Sequence, residues 1–109
     1  MLKNFIALYV PGTFGLEGKL PASRQAELSQ ITARKLSSEF GGATSHTAQG
    51  YYVADDGTLV EEKIIIVKAY HDKDPGAALA IGRKIAQWLK NELCQELVSL
   101  ETELGLDFI

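Results

Sequence analysis

The chain contains few of the residues that cross-link or interrupt a polypeptide, with one cysteine and three prolines among 109 residues. Because Cys94 has no partner cysteine, a disulfide within the chain is excluded, and a reducing compartment is the simplest expectation. No apolar run approaches the roughly 18 residues that span a bilayer. No cluster of Lys and Arg marks a surface for polyanions. We therefore expect a cytoplasmic protein that binds neither membranes nor nucleic acids.

The composition is that of a folded globular protein. Apolar residues make up 46% of the chain and charged residues 23%, and the formal net charge is −3. These values are far from the profile of a disordered chain. A length of 109 residues suits one hydrophobic core. The sequence therefore predicts a single domain over residues 1–109.

Two strand-like segments around a turn are the most informative feature of the sequence. Residues 43–53 are rich in Thr, Ser and Tyr and lack a helical period. Residues 58–70 follow Asp56-Gly57, a dipeptide typical of hairpin turns. Gly50 is expected to mark a bulge or a point of close packing. The second of these strands is apolar on both faces, so each face needs a covering layer.

Two helices and further strands complete the pattern. Alternating apolar residues over residues 3–10 predict the first strand. One helix is predicted from an N-cap at Ser23 to Phe40, and a second runs from Asp74, a capping residue followed by proline, to Leu93. Residues 96–101 are predicted as a fourth strand, and residues 104–109 leave room for a short fifth one.

The order strand-helix-strand-strand-helix-strand is typical of the ferredoxin-like sandwich. It predicts an α+β fold in which a four-stranded antiparallel sheet carries two helices on one face. The other face would carry one of two sets from the first strand, Phe5/Tyr9 or Ile6/Leu8, and one of two from the third, Ile64/Ile66/Tyr70 or Ile65/Val67. Such an apolar patch exceeds the few hundred Å² that monomers usually expose. We therefore expect a homodimer joined through this sheet face.

Three short motifs resemble those of a bacterial protein family. They are Gly50-Tyr51-Tyr52, the segment DGTLVEE at residues 56–62, and QELV at residues 95–98. The chain resembles, over residues 4–109, a family of uncharacterised bacterial proteins with a ferredoxin-like fold and no assigned activity. More broadly it resembles the dimeric α+β barrel superfamily, which includes monooxygenases, isomerases, dehalogenating enzymes and small-ligand sensors. The resemblance implies a fold and adds no catalytic residue.

Five polar or aromatic residues on predicted strands are candidates for binding a small molecule. They are His46, Tyr9, Tyr52, Lys68 and Tyr70. A phenol, an imidazole and an ammonium group would line a pocket between the sheet and a partner subunit. The alternative for the tyrosines is ordinary packing, and the alternative for His46 is a solvent-facing or hydrogen-bonded position on a strand.

The other chemically reactive residues are expected to be structural. His71 and Asp72 are predicted to be exposed polar residues of a loop, and Cys94 is predicted to be a small core residue. The glycine-rich segment from Pro11 to Pro21 departs from the phosphate-binding loop pattern, so we interpret it as a surface loop or a pocket lid. No metal or cofactor is predicted.

Two functions are consistent with these patterns. The first is a homodimeric module that binds a small ligand or another protein in a regulatory role. The alternative is a small cofactor-free enzyme of the dimeric α+β barrel type, with a pocket between helices and sheet and with His46 and a tyrosine as acid and base. The spacing reveals no set of nucleophile, base and orienting residue, which favours the binding module.

Overall fold

The fold is a five-stranded antiparallel sheet with two helices packed on one of its faces. A computed structural model describes residues 1–15 and 18–109. The elements in chain order are β1 Asn4–Val10, β2 Thr13–Phe14, β3 Gly18–Lys19, α1 Ala22–Phe40, β4 Thr44–Val53, β5 Leu59–His71, α2 Pro75–Leu93, β6 Ser99–Thr102 and β7 Gly105–Phe108. The large sheet has the strand order β4-β5-β1-β6-β7, and β2 pairs with β3 in a separate small sheet. The predicted ferredoxin-like arrangement and its short fifth strand are confirmed.

The hydrophobic core lies between the helices and one face of the sheet. Ile6, Leu8 and Val10 of β1 point toward the helices and are at most 1% exposed. Val67 of β5 pairs with Leu8 and is equally buried. Leu28 of α1 lies in the same cluster, so both layers contribute to the core. The first strand therefore uses its Ile6/Leu8 set for the core and turns Phe5 and Tyr9 to the other face.

The helix ends follow local chemistry. Helix α2 begins as predicted, because the Asp74 carboxylate accepts a hydrogen bond from the Ala77 N–H at 3.0 Å. Helix α1 begins one residue before Ser23, which is therefore not its N-cap, and Pro21 occupies that position without a side-chain cap. Gly41 ends α1 with a φ of 90°, a conformation that glycine adopts without strain. Neither of these two helices of the described residues has both the length and the apolar character needed to cross a bilayer.

The β4–β5 hairpin forms as its turn sequence predicts. The Asp56 carboxylate accepts a hydrogen bond from the Thr58 N–H at 2.9 Å, and Gly57 has a φ of 86°. Gly50 pairs with Glu62 in an uninterrupted register, so it forms no bulge. A Cβ atom at Gly50 would lie 2.6 Å from Cδ1 of Ile64, which confirms the alternative of close packing.

Two predictions about buried and exposed residues are wrong. His71 is 3% exposed, because the end of β5 lies beside the end of α1 and the imidazole packs on Phe40 with 5.1 Å between ring centroids. Its Nδ1 accepts a hydrogen bond from the Lys73 N–H at 3.2 Å. Cys94 is exposed, because α2 ends at Leu93 and Cys94 adopts a left-handed conformation just beyond the buried stripe. The fourth strand also begins later than predicted, at Ser99.

The described part of the glycine-rich segment is attached to the sheet. Glu62 of β5 accepts hydrogen bonds from the Gly12 N–H at 3.0 Å and the Thr13 hydroxyl at 3.1 Å. The Gln95 side-chain amide donates to the Thr13 carbonyl at 3.2 Å. Leu16 and Glu17, on which part of the predicted loop or lid falls, lie outside the described residues.

Candidate functional site

The five candidate residues share the face of the sheet that carries no helix, which we call the open face. Tyr9 and His46 both pair with Ile66, so the three form a row across three strands. Lys68 and Tyr70 follow Ile66 at alternate positions of β5, and Tyr52 lies at the far end of β4 with the same alternation as His46. The structure therefore brings all five to one face. His46 borders a cavity of about 270 Å³ between α1 and β4, and Tyr52 borders a separate one of about 600 Å³ beside the glycine-rich segment. The five residues therefore do not meet in one pocket between helices and sheet, where one alternative placed the site.

A tyrosine–carboxylate pair is the most distinctive polar contact on the open face. The Tyr9 hydroxyl donates a hydrogen bond to Oε1 of Glu101 at 2.7 Å. This hydrogen bond, together with partial burial and the negative charge of Glu101, raises the pKa of Tyr9 to about 12. The phenol therefore stays protonated at neutral pH and acts as a fixed donor.

Glu101 is the residue that sequence reasoning missed. Its partner Tyr9 is 92 residues away in the chain, and no spacing between them signals a site. The only available signal was the topology, because β6 pairs with β1 and places Glu101 beside Ala7. A prediction of the strand order alone does not give this contact, because the contact depends on the register of β1 against β6.

A cation over two aromatic rings lies beside this pair. Nζ of Lys68 is 4.0 Å from the Phe5 ring centroid and 4.9 Å from the Tyr70 centroid. The two rings meet edge to face with 5.9 Å between centroids. Both contacts fall in the range of cation–π and aromatic pairs, so they orient Lys68 along the sheet.

Two opposite charges flank one small residue at the centre of the open face. Ala7 pairs with Lys68 on one side and with Glu101 on the other. Ala7 is 1% exposed although no helix covers it, so its neighbours on the sheet enclose it. Within residues 1–15 and 18–109, neither Lys68 nor Glu101 forms an ion pair. The two charges are available to a ligand or to a second subunit.

The acid–base pair of His46 with a tyrosine is not assembled in the single chain. His46 is exposed on β4, whereas the phenol of Tyr9 bonds to Glu101. Tyr52 and Tyr70 are exposed too. Among the sequence candidates, Tyr9, Lys68 and Tyr70 cluster with Phe5 and Glu101, and His46 and Tyr52 lie farther out on β4.

The rest of the open face is largely apolar. Ile64 and Ile66 of β5 are half-buried there, and Leu106 and Phe108 of β7 are exposed beside Glu101 and Ser99. The third predicted strand thus presents its Ile64/Ile66/Tyr70 set to this face. The prediction that both surfaces of the sheet carry apolar side chains is confirmed.

The described residues offer no evident metal centre. In that part of the chain, no three His, Cys, Asp or Glu side chains are grouped so that they could hold a metal ion.

Comparison with known proteins gives a fold likeness. No family model and no curated protein matches the chain. The structure is similar to that of a phage SAM lyase in complex with S-methyl-5′-thioadenosine, with a TM-score of 0.70 and 16% identity over 97% of this chain and 88% of the other. It is also similar to a phage SAM lyase in the apo state, with a TM-score of 0.66 and 14% identity over 99% and 87% of the two chains. At these identities the likeness shows a shared fold.

Proposed function

We propose that this chain is a small cofactor-free enzyme that acts on an adenosyl sulfonium compound such as S-adenosylmethionine, with its active site on the open face. The observation that carries the proposal is the hydrogen-bonded pair of Tyr9 and Glu101, with 2.7 Å between the two oxygens, which lies near Lys68 and among apolar and aromatic side chains. The fold likeness to phage SAM lyase, including a complex with S-methyl-5′-thioadenosine, supports the substrate class. The proposal keeps the cofactor-free enzyme of the sequence analysis and moves its site to the opposite face of the sheet.

The chemistry of a sulfonium suits such a surface. When the bond between sulfur and the amino-acid side chain of the substrate breaks, its electron pair leaves with sulfur, and the neutral thioether S-methyl-5′-thioadenosine forms. The side-chain carbon that sulfur leaves forms a new bond to the substrate's own carboxylate oxygen, so the atoms and electrons balance without a further reactant. Because the positive charge on sulfur disappears, apolar neighbours such as Phe5 and Ile66 disfavour the substrate more than the transition state.

The polar pair would hold the substrate. One oxygen of Glu101 accepts from the Tyr9 hydroxyl, and the second, which has no hydrogen-bond donor among the described residues, would accept from ribose hydroxyls or from an ammonium group. Since the phenol of Tyr9 stays protonated, it fixes the orientation of the carboxylate. Tyr70 adds an exposed ring on which an adenine can stack.

We expect loss of the Glu101 carboxylate to reduce conversion of S-adenosylmethionine to S-methyl-5′-thioadenosine. Glu101→Gln removes the negative charge of the acceptor and Tyr9→Phe removes the hydroxyl donor, so kcat/KM should fall at least about tenfold in each variant. Reversed-phase chromatography of the product gives the rates. Glu103→Gln, an exposed carboxamide substitution in the β6–β7 turn, is the matched control and should retain the rate of the parent chain. Equal rates in the parent, Glu101→Gln and Glu103→Gln chains would contradict the proposed site.

A ligand-binding module is the second candidate function, and one observation favours it. The raised pKa of Tyr9 makes the phenol a permanent donor, which suits recognition better than proton transfer. In this case S-methyl-5′-thioadenosine would bind, as measured by titration calorimetry, without turnover of S-adenosylmethionine. Binding that Glu101→Gln weakens would then place a sensor site at the same residues.

A second copy of the chain is the proposed cover of the open face, so the proposed substrate would lie between the two sheets. The exposed side chains of Tyr70, Leu106 and Phe108 would leave an unprotected apolar surface on an isolated subunit. Lys68 and Glu101 lie on opposite sides of Ala7. A two-fold axis parallel to β1 above Ala7 would therefore place each Lys68 opposite the partner's Glu101, which is the self-complementary pattern of a symmetric dimer.

We expect Lys68→Glu to weaken this self-association about tenfold or more, because four carboxylates would then face one another in the interface. Sedimentation equilibrium of the parent and variant chains measures the dissociation constants. Combining Lys68→Glu with Glu101→Lys restores opposite charges and should recover part of the affinity. Lys90→Glu, on α2 and away from the open face, is the control. A parent chain that stays monomeric at high concentration would overturn the dimer.

A further inference from the structure

A cleft in the helical layer has features of a second binding site. It lies between α1 and α2, has a volume of about 460 Å³, and we call it the Trp88 cleft. Its apolar wall is formed by Ile81, Ile85 and Trp88 of α2. Ile85 is nearly buried, whereas Ile81 and Trp88 are half-buried and therefore within reach of a ligand. An apolar wall with an accessible indole is typical of small-molecule pockets.

The charged residues of the Trp88 cleft are mostly basic. Arg34 and Lys35 reach it from α1, and Lys84 reaches it from α2. In the part of the chain that the structure describes, none of these three cations forms an ion pair. Glu39 is the carboxylate in the lining, and its Oε2 lies 3.9 Å from Nζ of Lys73. The lining therefore has an excess of positive charge, although the chain as a whole carries a net charge of −3.

A cationic group and an aromatic ring are in contact inside the cleft. Nζ of Lys35 is 4.7 Å from the Trp88 ring centroid, so the ammonium group lies over the indole. Arg34 brings a planar guanidinium that matches two oxygens of an anion, and Ser38 adds a hydroxyl to the lining. The cleft thus offers donors for an anion directly beside a surface for a ring.

We propose that the Trp88 cleft binds a small aromatic phosphate, with the phosphate between Arg34 and Lys84 and the ring against Ile81 and Trp88, where it would displace the Lys35 ammonium group from the indole. A phosphate without a ring would make no contact with the apolar wall. An uncharged aromatic compound would make no electrostatic interaction with the three cations. The site belongs to the helical layer, on the opposite side of the sheet from Tyr9 and Glu101. It is therefore independent of the function proposed for the open face.

Trp88 is the one tryptophan of the chain, so its fluorescence reports on this cleft. With excitation at the red edge of the tryptophan band, phenyl phosphate should change the emission in a saturable manner. Inorganic phosphate and phenol, which each supply half of the recognition, should bind at least about tenfold more weakly. Phenol or inorganic phosphate binding as tightly as phenyl phosphate would overturn the proposal, and so would the absence of saturable binding.

Charge variants locate the phosphate. Arg34→Gln and Lys84→Gln should each weaken phenyl phosphate binding about threefold to tenfold in titration calorimetry, since each removes a charged donor. Glu39→Gln should tighten binding about threefold, because it removes the one opposing charge. Lys90→Gln changes a lysine of the same helix outside the cleft and should leave the affinity unchanged. Unfolding midpoints confirm that the variants fold, and equal affinities in the Arg34, Lys84 and Lys90 variants would overturn the site.

Discussion

Leu8→Ala should lower the free energy of unfolding by about 2–5 kcal/mol, the largest stability change we expect in this protein. Leu8 is fully buried at the middle of β1, where it lies between Val67 of β5 and Leu100 of β6. All three point to the helices, so removal of the isobutyl group leaves a cavity at the centre of the core. The sheet surrounds Leu8 on both sides, and its backbone cannot move in to fill the space without breaking the pairing of two strands.

Urea denaturation of the parent and variant chains at one fixed protein concentration measures this effect, because self-association would make stability depend on concentration. Leu104→Ala is the matched control, since Leu104 is 87% exposed in the turn between β6 and β7. We expect that variant to stay within about 0.5 kcal/mol of the parent. A loss below about 1 kcal/mol for Leu8→Ala would show that the core of β1 is less tightly packed than the structure indicates.

Gly82→Val should also destabilise the protein, by about 1–3 kcal/mol or more. Gly82 is a buried residue of α2 that faces the sheet. A Cβ atom at this position would lie 3.1 Å from Cγ2 of Ile6 and 3.2 Å from Cδ1 of Leu100. Valine adds two further carbon atoms, so α2 would have to move away from β1 and β6. The expected cost exceeds the small gain in helix propensity on replacing glycine, which is about 0.3 kcal/mol.

Ala80→Val provides the matched control for Gly82→Val. Ala80 is exposed on the same helix, so valine there changes helix propensity without a clash, at about 0.5 kcal/mol. Thermal or urea unfolding gives both values. If Gly82→Val proved as mild as Ala80→Val, the close contact of α2 with Ile6 would not be a determinant of stability.

Much of the fold could be predicted because its signals are local. Alternation along β5 gave a strand with two apolar faces, and Asp56-Gly57 gave the turn that precedes it. Asp74 before a proline gave the start of α2, and Gly41 gave the end of α1. Each of these signals depends on a few residues that are neighbours in the sequence, and such residues are also close together in space.

The errors come from contacts between distant segments. His71, at the end of β5, has no sequence feature that indicates burial, because the ring that packs on it is Phe40 at the end of α1. Cys94 follows an apolar residue, yet α2 ends immediately before it and exposes the thiol. The Tyr9–Glu101 pair requires the register of β1 against β6, which no local pattern fixes. Sequence alternation nevertheless placed Lys68 and Tyr70 on one face of their strand, whereas the register of β1 against β5 was needed to place Tyr9 with them.

The central position of β1 has a consequence for how the chain reaches its native state. The strand is synthesised before all of its neighbours, yet it pairs with β5 on one edge and β6 on the other. The hydrogen bonds of β1 to these strands form only after the long segments between them have been ordered. Contacts between residues far apart in sequence slow folding relative to that of helical bundles. Until β5 and β6 have been made, both edges of β1 are unpaired, and unpaired strand edges are able to pair with other chains.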